Sequence, residues 1–283
     1  MWQLNIILAD IKIQHTVFAL PFAVISAFLA AGGMPEVETL FWIVVAMFGA
    51  RSAAMAFNRI VDASYDRANP RTRERALPAG RIGIGAYAAF LVASSLLLVG
   101  ASAMLNRLAL YLSPLALFIV FFYSLTKRFT SFSHVFLGLA ISAAPVGAWV
   151  AVREEISFVS LVLGAAVVFW LVGFDIIYAC LDVEADERND LHSIPRRFGV
   201  ARALKLAAAA HAVMVAFLLL LAALAPVGAV YLAGVAVVAA LLAYEHSLIS
   251  HRDLSKVNIA FFNVNGLISL AFMIFVVADT LWA

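Results

Sequence analysis

Apolar residues dominate nine successive stretches of the chain, over 16–33, 39–58, 83–105, 108–124, 133–152, 156–180, 203–224, 227–244 and 258–280. A helix needs about 20 such residues to cross the hydrocarbon of a bilayer. The stretches are continuous rather than alternating, which is the pattern of helices and not of a membrane β-barrel. They predict an all-α, polytopic membrane bundle of nine transmembrane helices. No Gly/Ser-rich linker or soluble insert separates them, so 1–283 reads as a single transmembrane domain. The first stretch runs on into more membrane-grade sequence and reads as an uncleaved helix rather than a signal peptide.

Polar positions between the stretches give the orientation. Of the 19 Lys and Arg residues, sixteen fall in alternate connections and two, Arg107 and Arg153, in the others; Arg51 lies inside the second stretch. Positive charge marks the cytoplasmic side. The expected topology places the N-terminus inside, the C-terminus outside, and the connections after the second, fourth, sixth and eighth helices in the cytoplasm.

Composition agrees. The chain is 65% hydrophobic and 13% charged, against about 45–50% and about 25% in soluble domains. It is expected to be an integral membrane protein. A net charge of +2 gives no reason to expect nucleic acid, and the lone Cys180 rules out an intramolecular disulfide framework.

Two polar stretches break the apolar pattern. Asn58, Asp62 and Asp66 are spaced four apart at the end of the second run, within an arc of ~80° on a helix. Asp175, Tyr178, Asp182 and Asp186 repeat the arrangement at the end of the sixth. By the charge map both helices run from outside to inside, so the two faces meet at one membrane surface. Ordinary helix ends would favour Lys or Arg there, because Asp opposes the macrodipole at a C-terminus.

Four carboxylates held together at a low-dielectric surface repel one another unless protons or cations join them. All-oxygen ligands suit Mg²⁺, which is commonly held by a few carboxylates, waters and substrate phosphates. Arg71, Arg75 and Lys127 nearby suit phosphate oxygens. The expectation is a diphosphate held by Mg²⁺ and arginines at the mouth of a central cavity opening to the cytoplasm.

These residues resemble the UbiA superfamily of intramembrane aromatic prenyltransferases. Its Asn-x3-Asp-x3-Asp motif matches Asn58, Asp62 and Asp66. Its Arg-Thr-x2-Arg-x2-Pro-x-Gly element matches Arg71, Thr72, Arg75, Pro78 and Gly80. Its Tyr-x3-Lys-Arg element matches Tyr123, Lys127 and Arg128, and its Tyr-x3-Asp-x3-Asp motif matches Tyr178, Asp182 and Asp186. The resemblance implies two Mg²⁺ ions, a polyprenyl diphosphate donor and an aromatic acid acceptor. The donor ionises to an allylic cation that alkylates the ring, and its tail lies among the membrane lipid. Asp62, Asp66, Asp182 and Asp186 are then the catalytic metal ligands, with Asn58. Asn58, Arg71, Arg75, Lys127, Tyr123 and Tyr178 would meet the diphosphate. The stretch "DIKIQHTVFALPFA" lacks the Arg-x-x-Lys-Pro element of many 4-hydroxybenzoate enzymes. It resembles a menaquinone subgroup whose acceptor is 1,4-dihydroxy-6-naphthoate.

Several residues keep two readings. Arg51 lies seven residues before Asn58, and Asp175 seven before Asp182, each ~10 Å deeper on its face. They form either a structural ion pair or an acceptor site with Asn58, in which Arg51 takes the acceptor's carboxylate and Asp175 orients Arg51 or the acceptor hydroxyl. Tyr178 can be merely interfacial, and Lys127 merely a topology charge. His15 reads as local structure ahead of an acceptor contact, and His134, His211, His246 and His251 as interfacial. "SIPRRFG" reads as the start of the seventh helix. A secondary transporter is the alternative from another class, but its carboxylates belong near the midplane rather than at one face. Haem O, chlorophyll and archaeal lipid synthases would keep the donor site and change the acceptor.

Overall fold

The structure, a computed structural model, describes residues 2–11 and 18–282. The described residues are helical, with thirteen α-helices. In order they are α1 (Trp2–Asp10), α2 (Leu20–Ala31), α3 (Val37–Val61), α4 (Ala63–Ala68), α5 (Ile84–Leu105), α6 (Arg107–Thr126) and α7 (Ser133–Arg153). After them come α8 (Phe158–Ala179), α9 (Val183–Arg188), α10 (Ile194–Phe198), α11 (Val200–Leu224), α12 (Ala229–Ser247) and α13 (Asn265–Trp282), the last preceded by a π-helical turn over Ile259–Val264.

Eight helices are long and apolar enough to cross a membrane, counting Ile259–Trp282 as one. The chain is an integral membrane protein. The ninth expected span appears among the described residues as α2, 12 residues long, which is ~18 Å and less than the ~30 Å of hydrocarbon. Pro21 starts it, and Gly32 at φ 65° closes it with an N–H to Phe28 O, as a left-handed C-cap does. Lys12 and His15, with the intervening stretch that bears on the acceptor, lie outside the described residues. Three short helices, α4, α9 and α10, fall where the hydropathy pattern gives only connections. "SIPRRFG" forms α10 by itself: Ser193 caps it by accepting the Arg196 N–H, and Gly199 at φ 79° separates it from α11.

Helix α8 is the buried centre of the bundle, packed on α7, α11 and α2. Leu163, Ala166, Val167, Trp170 and Leu171 meet Phe22 and Ile25 of α2 and Met214 and Leu218 of α11 in one apolar core. Small residues allow the helices to approach closely, as in other membrane bundles. A Cβ on Gly49 of α3 would lie 2.7 Å from Leu98 N of α5. A Cβ on Gly173 would lie 2.1 Å from the His211 ring, so only glycine lets that imidazole in.

His211 is a correction to the interfacial reading: it is buried, with Nε2 3.1 Å from Trp170 O and Nδ1 2.9 Å from His246 Nε2. It belongs to a polar seam in which Asn265 accepts from Trp170 Nε1 and donates to the buried Glu245. His134 is also fully buried rather than interfacial.

At the end away from the aspartates, Asn106 caps α6 and donates to Val150 O, while Arg153 Nε bonds Ala30 O. Asp279 near the end of α13 accepts the Gly228 N–H at 2.7 Å and the Tyr231 N–H at 3.0 Å, capping α12 from outside. Asp279→Ala leaves both donors without a partner and is expected to cost about 1–3 kcal/mol, read as a lowered Tm in detergent. An unchanged Tm would show that water takes over both bonds.

Candidate functional site

Each aspartate motif lies across a helix break. Helix α3 ends at Val61, Asp62 stands at the break, and α4 carries Asp66; α8 ends at Ala179, Asp182 stands at the break, and α9 carries Asp186. The breaks do not scramble the spacing. Asp62 N–H donates to Asn58 O at 2.9 Å, Asp66 N–H to Asp62 O at 2.8 Å, and Asp186 N–H to Asp182 O at 2.8 Å. Four-residue bonding therefore runs unbroken through the first break, while the second is crossed by a tighter turn in which the Asp182 N–H donates to Ala179 O at 3.0 Å. An Asp preceding a helix usually caps it with its side chain. Neither Asp62 nor Asp182 does so, which leaves both carboxylates for the cavity between them.

That cavity measures about 240 Å³. Eleven of the twelve predicted site residues line it: Asn58, Asp62, Asp66, Arg71, Arg75, Tyr123, Lys127, Asp175, Tyr178, Asp182 and Asp186. Arg128 lines it too and was left out of the predicted set. The cations hold the carboxylates. Arg75 Nη1 donates to both oxygens of Asp66 at 2.8 Å. Arg71 forks onto Asp182 and also donates to the Tyr178 hydroxyl, its guanidinium 5.0 Å from the centre of that ring. Arg128 Nη2 reaches Asp62 Oδ1 at 3.3 Å, and Asn58 Nδ2 donates to Asp62 Oδ2 at 2.7 Å. Among the described residues no three carboxylate, His or Cys groups converge as a ready cation cage. Each of Asp62, Asp66 and Asp182 is paired with an arginine instead.

Electrostatics show what the pocket lacks. Burial, reinforced by Asp66, pushes the Asp62 carboxyl above the usual range, despite Arg128. Burial and then Asp182 do the same for Asp186, against Lys127 and Ser193. Asp186 Oδ2 is buried with no hydrogen-bond partner. Burial by itself would lower the Lys127 pKa, but Asp186, Asp175, Asp182 and Asp62 outweigh it and raise it. Lys127 is thus a fixed cation among carboxylates rather than a bare topology charge. Two under-compensated carboxyls in an all-oxygen donor set suit a hard divalent cation, so the residues present fit a metal held against phosphate.

A second, mostly apolar cavity of about 750 Å³ adjoins the first. Tyr123, Leu137 and Asp175 line both. Its walls come chiefly from α3, α5, α6 and α7, with Phe18, Phe118, Phe122, Phe136, Phe174 and Phe261 among them. Arg51 also lines it, and Arg51 Nε is buried without a hydrogen-bond partner. The structural Arg51–Asp175 ion pair is not formed. Asp175 Oδ2 lies 2.6 Å from His134 Nδ1 instead, because α7 brings His134 against α8 below the polar cavity.

A polar, charge-rich chamber sharing a wall with a larger apolar one suits an anionic lipid. The model of the UbiA prenyltransferase family matches residues 19–267. The chain belongs to that family. Among its relatives, the 4-hydroxybenzoate octaprenyltransferase of Marinobacter nauticus is 33% identical over 84% of this chain and 81% of its own length. Among solved structures, a UbiA homologue from Aeropyrum pernix K1 superposes with a TM-score of 0.86 at 32% identity, over 95% of this chain and 98% of the other. A UbiA homologue from Archaeoglobus fulgidus, bound to GPP and Mg²⁺, shares the fold with a TM-score of 0.73 at 19% identity, over 97% and 99% of the two chains.

This prenyltransferase therefore brings its motif residues to one chamber and sets Arg51 apart in the next. Sequence reasoning missed the partners that cross between helices. His134 is one. Asp10 is another: it accepts from Arg59 Nε at 3.1 Å, from Ala76 N at 2.9 Å and from the Tyr87 hydroxyl. The only sequence signal for Asp10 is an acidic residue closing a short apolar helix.

Proposed function

We propose that this enzyme transfers a polyprenyl group from a polyprenyl diphosphate to an aromatic carboxylic acid with the help of Mg²⁺, the whole of 1–283 acting as one membrane domain. The junction of the two cavities carries the reading. The polar chamber matches a diphosphate and the apolar one a polyprenyl tail, so the donor's C1–O bond falls beside Tyr123 and Asp175. Relatives named for 4-hydroxybenzoate support a carboxylic acid acceptor, and Arg51 supplies a cation for its carboxylate.

Bound Mg²⁺ would neutralise the leaving diphosphate; the Archaeoglobus homologue's bound GPP and Mg²⁺ support this assignment. Asp62, Asp66, Asp182 and Asp186 would hold it, with Asn58. As they do so, Arg71, Arg75 and Arg128 exchange carboxylate for phosphate oxygens, and Lys127 adds a fourth cation. Tyr178 and Tyr123 donate hydrogen bonds to the diphosphate. The C1–O bond breaks with its electron pair on diphosphate. A ring carbon of the acceptor bonds to C1, and that carbon's proton is released to restore the aromatic ring. Arg51 fixes the acceptor's carboxylate in the apolar chamber, and Asp175, steadied by His134, orients its hydroxyl. The apolar walls keep water from the allylic cation.

The acceptor is tested by offering 4-hydroxybenzoate and 1,4-dihydroxy-6-naphthoate side by side with a polyprenyl diphosphate and identifying the prenylated product. Prenylation of either acid upholds the reading, and the faster one settles the pathway. Prenylation of neither, with turnover on a non-acidic acceptor, contradicts it.

The site is assigned to the cytoplasmic face of a bacterial cytoplasmic membrane, on the Lys/Arg excess around it. Cysteines placed at Ala68 and Glu154 are expected to label from opposite sides. Labelling of both from one side would refute the orientation.

Metal affinity should depend on pH. Burial holds the pKa values of Asp62 and Asp186 above the ordinary Asp range in the metal-free fold, so protons compete with a cation there more strongly than at a solvated carboxylate. Their contribution to stability is present at low pH and lost as pH rises through those values. A cation must displace the protons, so Mg²⁺ binding strengthens through the same window. The Mg²⁺ concentration needed to raise Tm is expected to increase as pH falls through the raised pKa values of these two groups. A pH-independent affinity across that range would contradict the role of these two carboxyls.

A further inference from the structure

Asp10 is 7% exposed and Arg59, its ion-pair partner, 4% exposed, reckoned on their side chains. Ile7, Ile11, Ala56, Ile82 and Tyr87, from the same segments, form an apolar cluster. In that low-dielectric shell one carboxylate satisfies three donors from three places: Arg59 of α3, the Ala76 N–H of the loop before α5, and the Tyr87 hydroxyl of α5. Arg59 Nη2 also donates to the Asp10 carbonyl at 3.0 Å.

Both protein arms from this point end on the donor chamber. Arg59 Nη1 donates to Asn58 Oδ1 at 3.1 Å. A guanidinium only donates, so it fixes the Asn58 amide with Oδ1 toward Arg59 and Nδ2 toward Asp62, to which Nδ2 donates at 2.7 Å. On the other arm, Ala76 follows Arg75, whose guanidinium holds Asp66 at 2.8 Å. Asp10 is not part of the chamber's lining, yet it stands one link behind Asn58 and bonds the residue after Arg75.

We propose that Asp10 is a positioning residue for the prenyl diphosphate, its buried carboxylate setting Asp62 through Arg59 and Asn58 and setting Arg75 through the backbone of Ala76. This rests on the assignment of the polar chamber to the donor's diphosphate. Two carboxylate oxygens receive three donors, and asparagine offers only one acceptor oxygen. Asp10→Asn therefore turns an NH₂ group toward donors and loosens both arms together. Arg59→Lys keeps a cation for Asp10, but an ammonium cannot reproduce the planar fork that reaches Asp10 and Asn58 at once.

The test measures binding of a thio-analogue of geranyl diphosphate with Mg²⁺ to purified full-length protein, alongside KM for donor and acceptor and Tm. Asp10→Asn and Arg59→Lys are each expected to weaken analogue binding and raise the donor KM about 10- to 100-fold, the range for groups that orient a metal's ligands. The acceptor KM should stay within about twofold, as expected when its contacts are untouched. Asp279→Ala is the comparator, expected to lower Tm with wild-type analogue affinity. If Asp10→Asn does not fold, Arg59→Lys decides by the same limits. Wild-type analogue affinity in the folded variants, with only Tm lowered, overturns the proposal and makes Asp10 structural. Failure of the wild type itself to bind the analogue removes the donor assignment and this inference with it.

Discussion

Asp182→Asn is expected to lower kcat/KM about 10²- to 10³-fold, the scale of losing one group that stabilises charge in the transition state. Asn keeps the size of the side chain and one acceptor oxygen, so the break after α8 and the Asp186 N–H to Asp182 O bond should persist. What is lost is a negative charge facing the place where diphosphate departs. The variant also frees Arg71, whose fork is on Asp182 in the metal-free protein. A freed arginine can still meet phosphate, so the loss should fall on Mg²⁺ dependence and kcat more than on donor binding. Asp62→Asn, Asp66→Asn and Asp186→Asn should behave alike, since all four line one chamber. Turnover at the wild-type rate under limiting Mg²⁺ by any two of them would contradict a four-carboxylate site. A Tm profile close to wild type would separate this from misfolding.

Arg51→Ala is expected to raise the acceptor KM about 10²-fold or more, the scale of removing one partner of a buried charge pair, and to leave the donor KM nearly unchanged. Arg51 lies in the apolar chamber, with its Nε buried and unpartnered, and is absent from the lining of the polar one. A half-buried guanidinium in an apolar chamber, its Nε buried and unpartnered, is costly without an anion, and a substrate carboxylate gives it one. Stability should move the other way: the substrate-free variant should be at least as stable as the wild type, because the costly cation is gone. A fall in Tm with normal acceptor kinetics would make Arg51 a structural residue after all.

Why the motif face could be read from sequence is visible at Asp62 and Asp182. Both stand at helix breaks, yet i to i+4 hydrogen bonds run from Asn58 to Asp66 and from Asp182 to Asp186. The four-residue spacing therefore keeps its meaning through the break at Asp62, and after the tighter turn before Asp182 it resumes to Asp186. The apolar runs were legible for the same local reason, and eight of the nine appear as spanning helices. Run length alone gave the first one too many helical residues: α2 begins at Leu20. What sequence could not show is pairing between distant segments. Asp10 meets partners 49, 66 and 77 residues away. His134 meets Asp175 across 41 residues, and nothing local to either marks the other. Arg51 and Asp175 share the periodicity of a pair, but packing of α7 on α8 gives Asp175 to His134. Buried His211 was read as interfacial because its glycine partner, Gly173, carries no polar signal.

The central claim is that this membrane enzyme joins a polyprenyl chain to an aromatic acid and needs Mg²⁺ to do it. The direct measurement is diphosphate release by the purified protein in detergent, with a polyprenyl diphosphate donor and the two aromatic acids. Release should require donor, acceptor and Mg²⁺ together, stop with a chelator, and match the prenylated aromatic acid formed mole for mole. Release that continues without Mg²⁺, or without any aromatic acceptor and at the same rate, would contradict it.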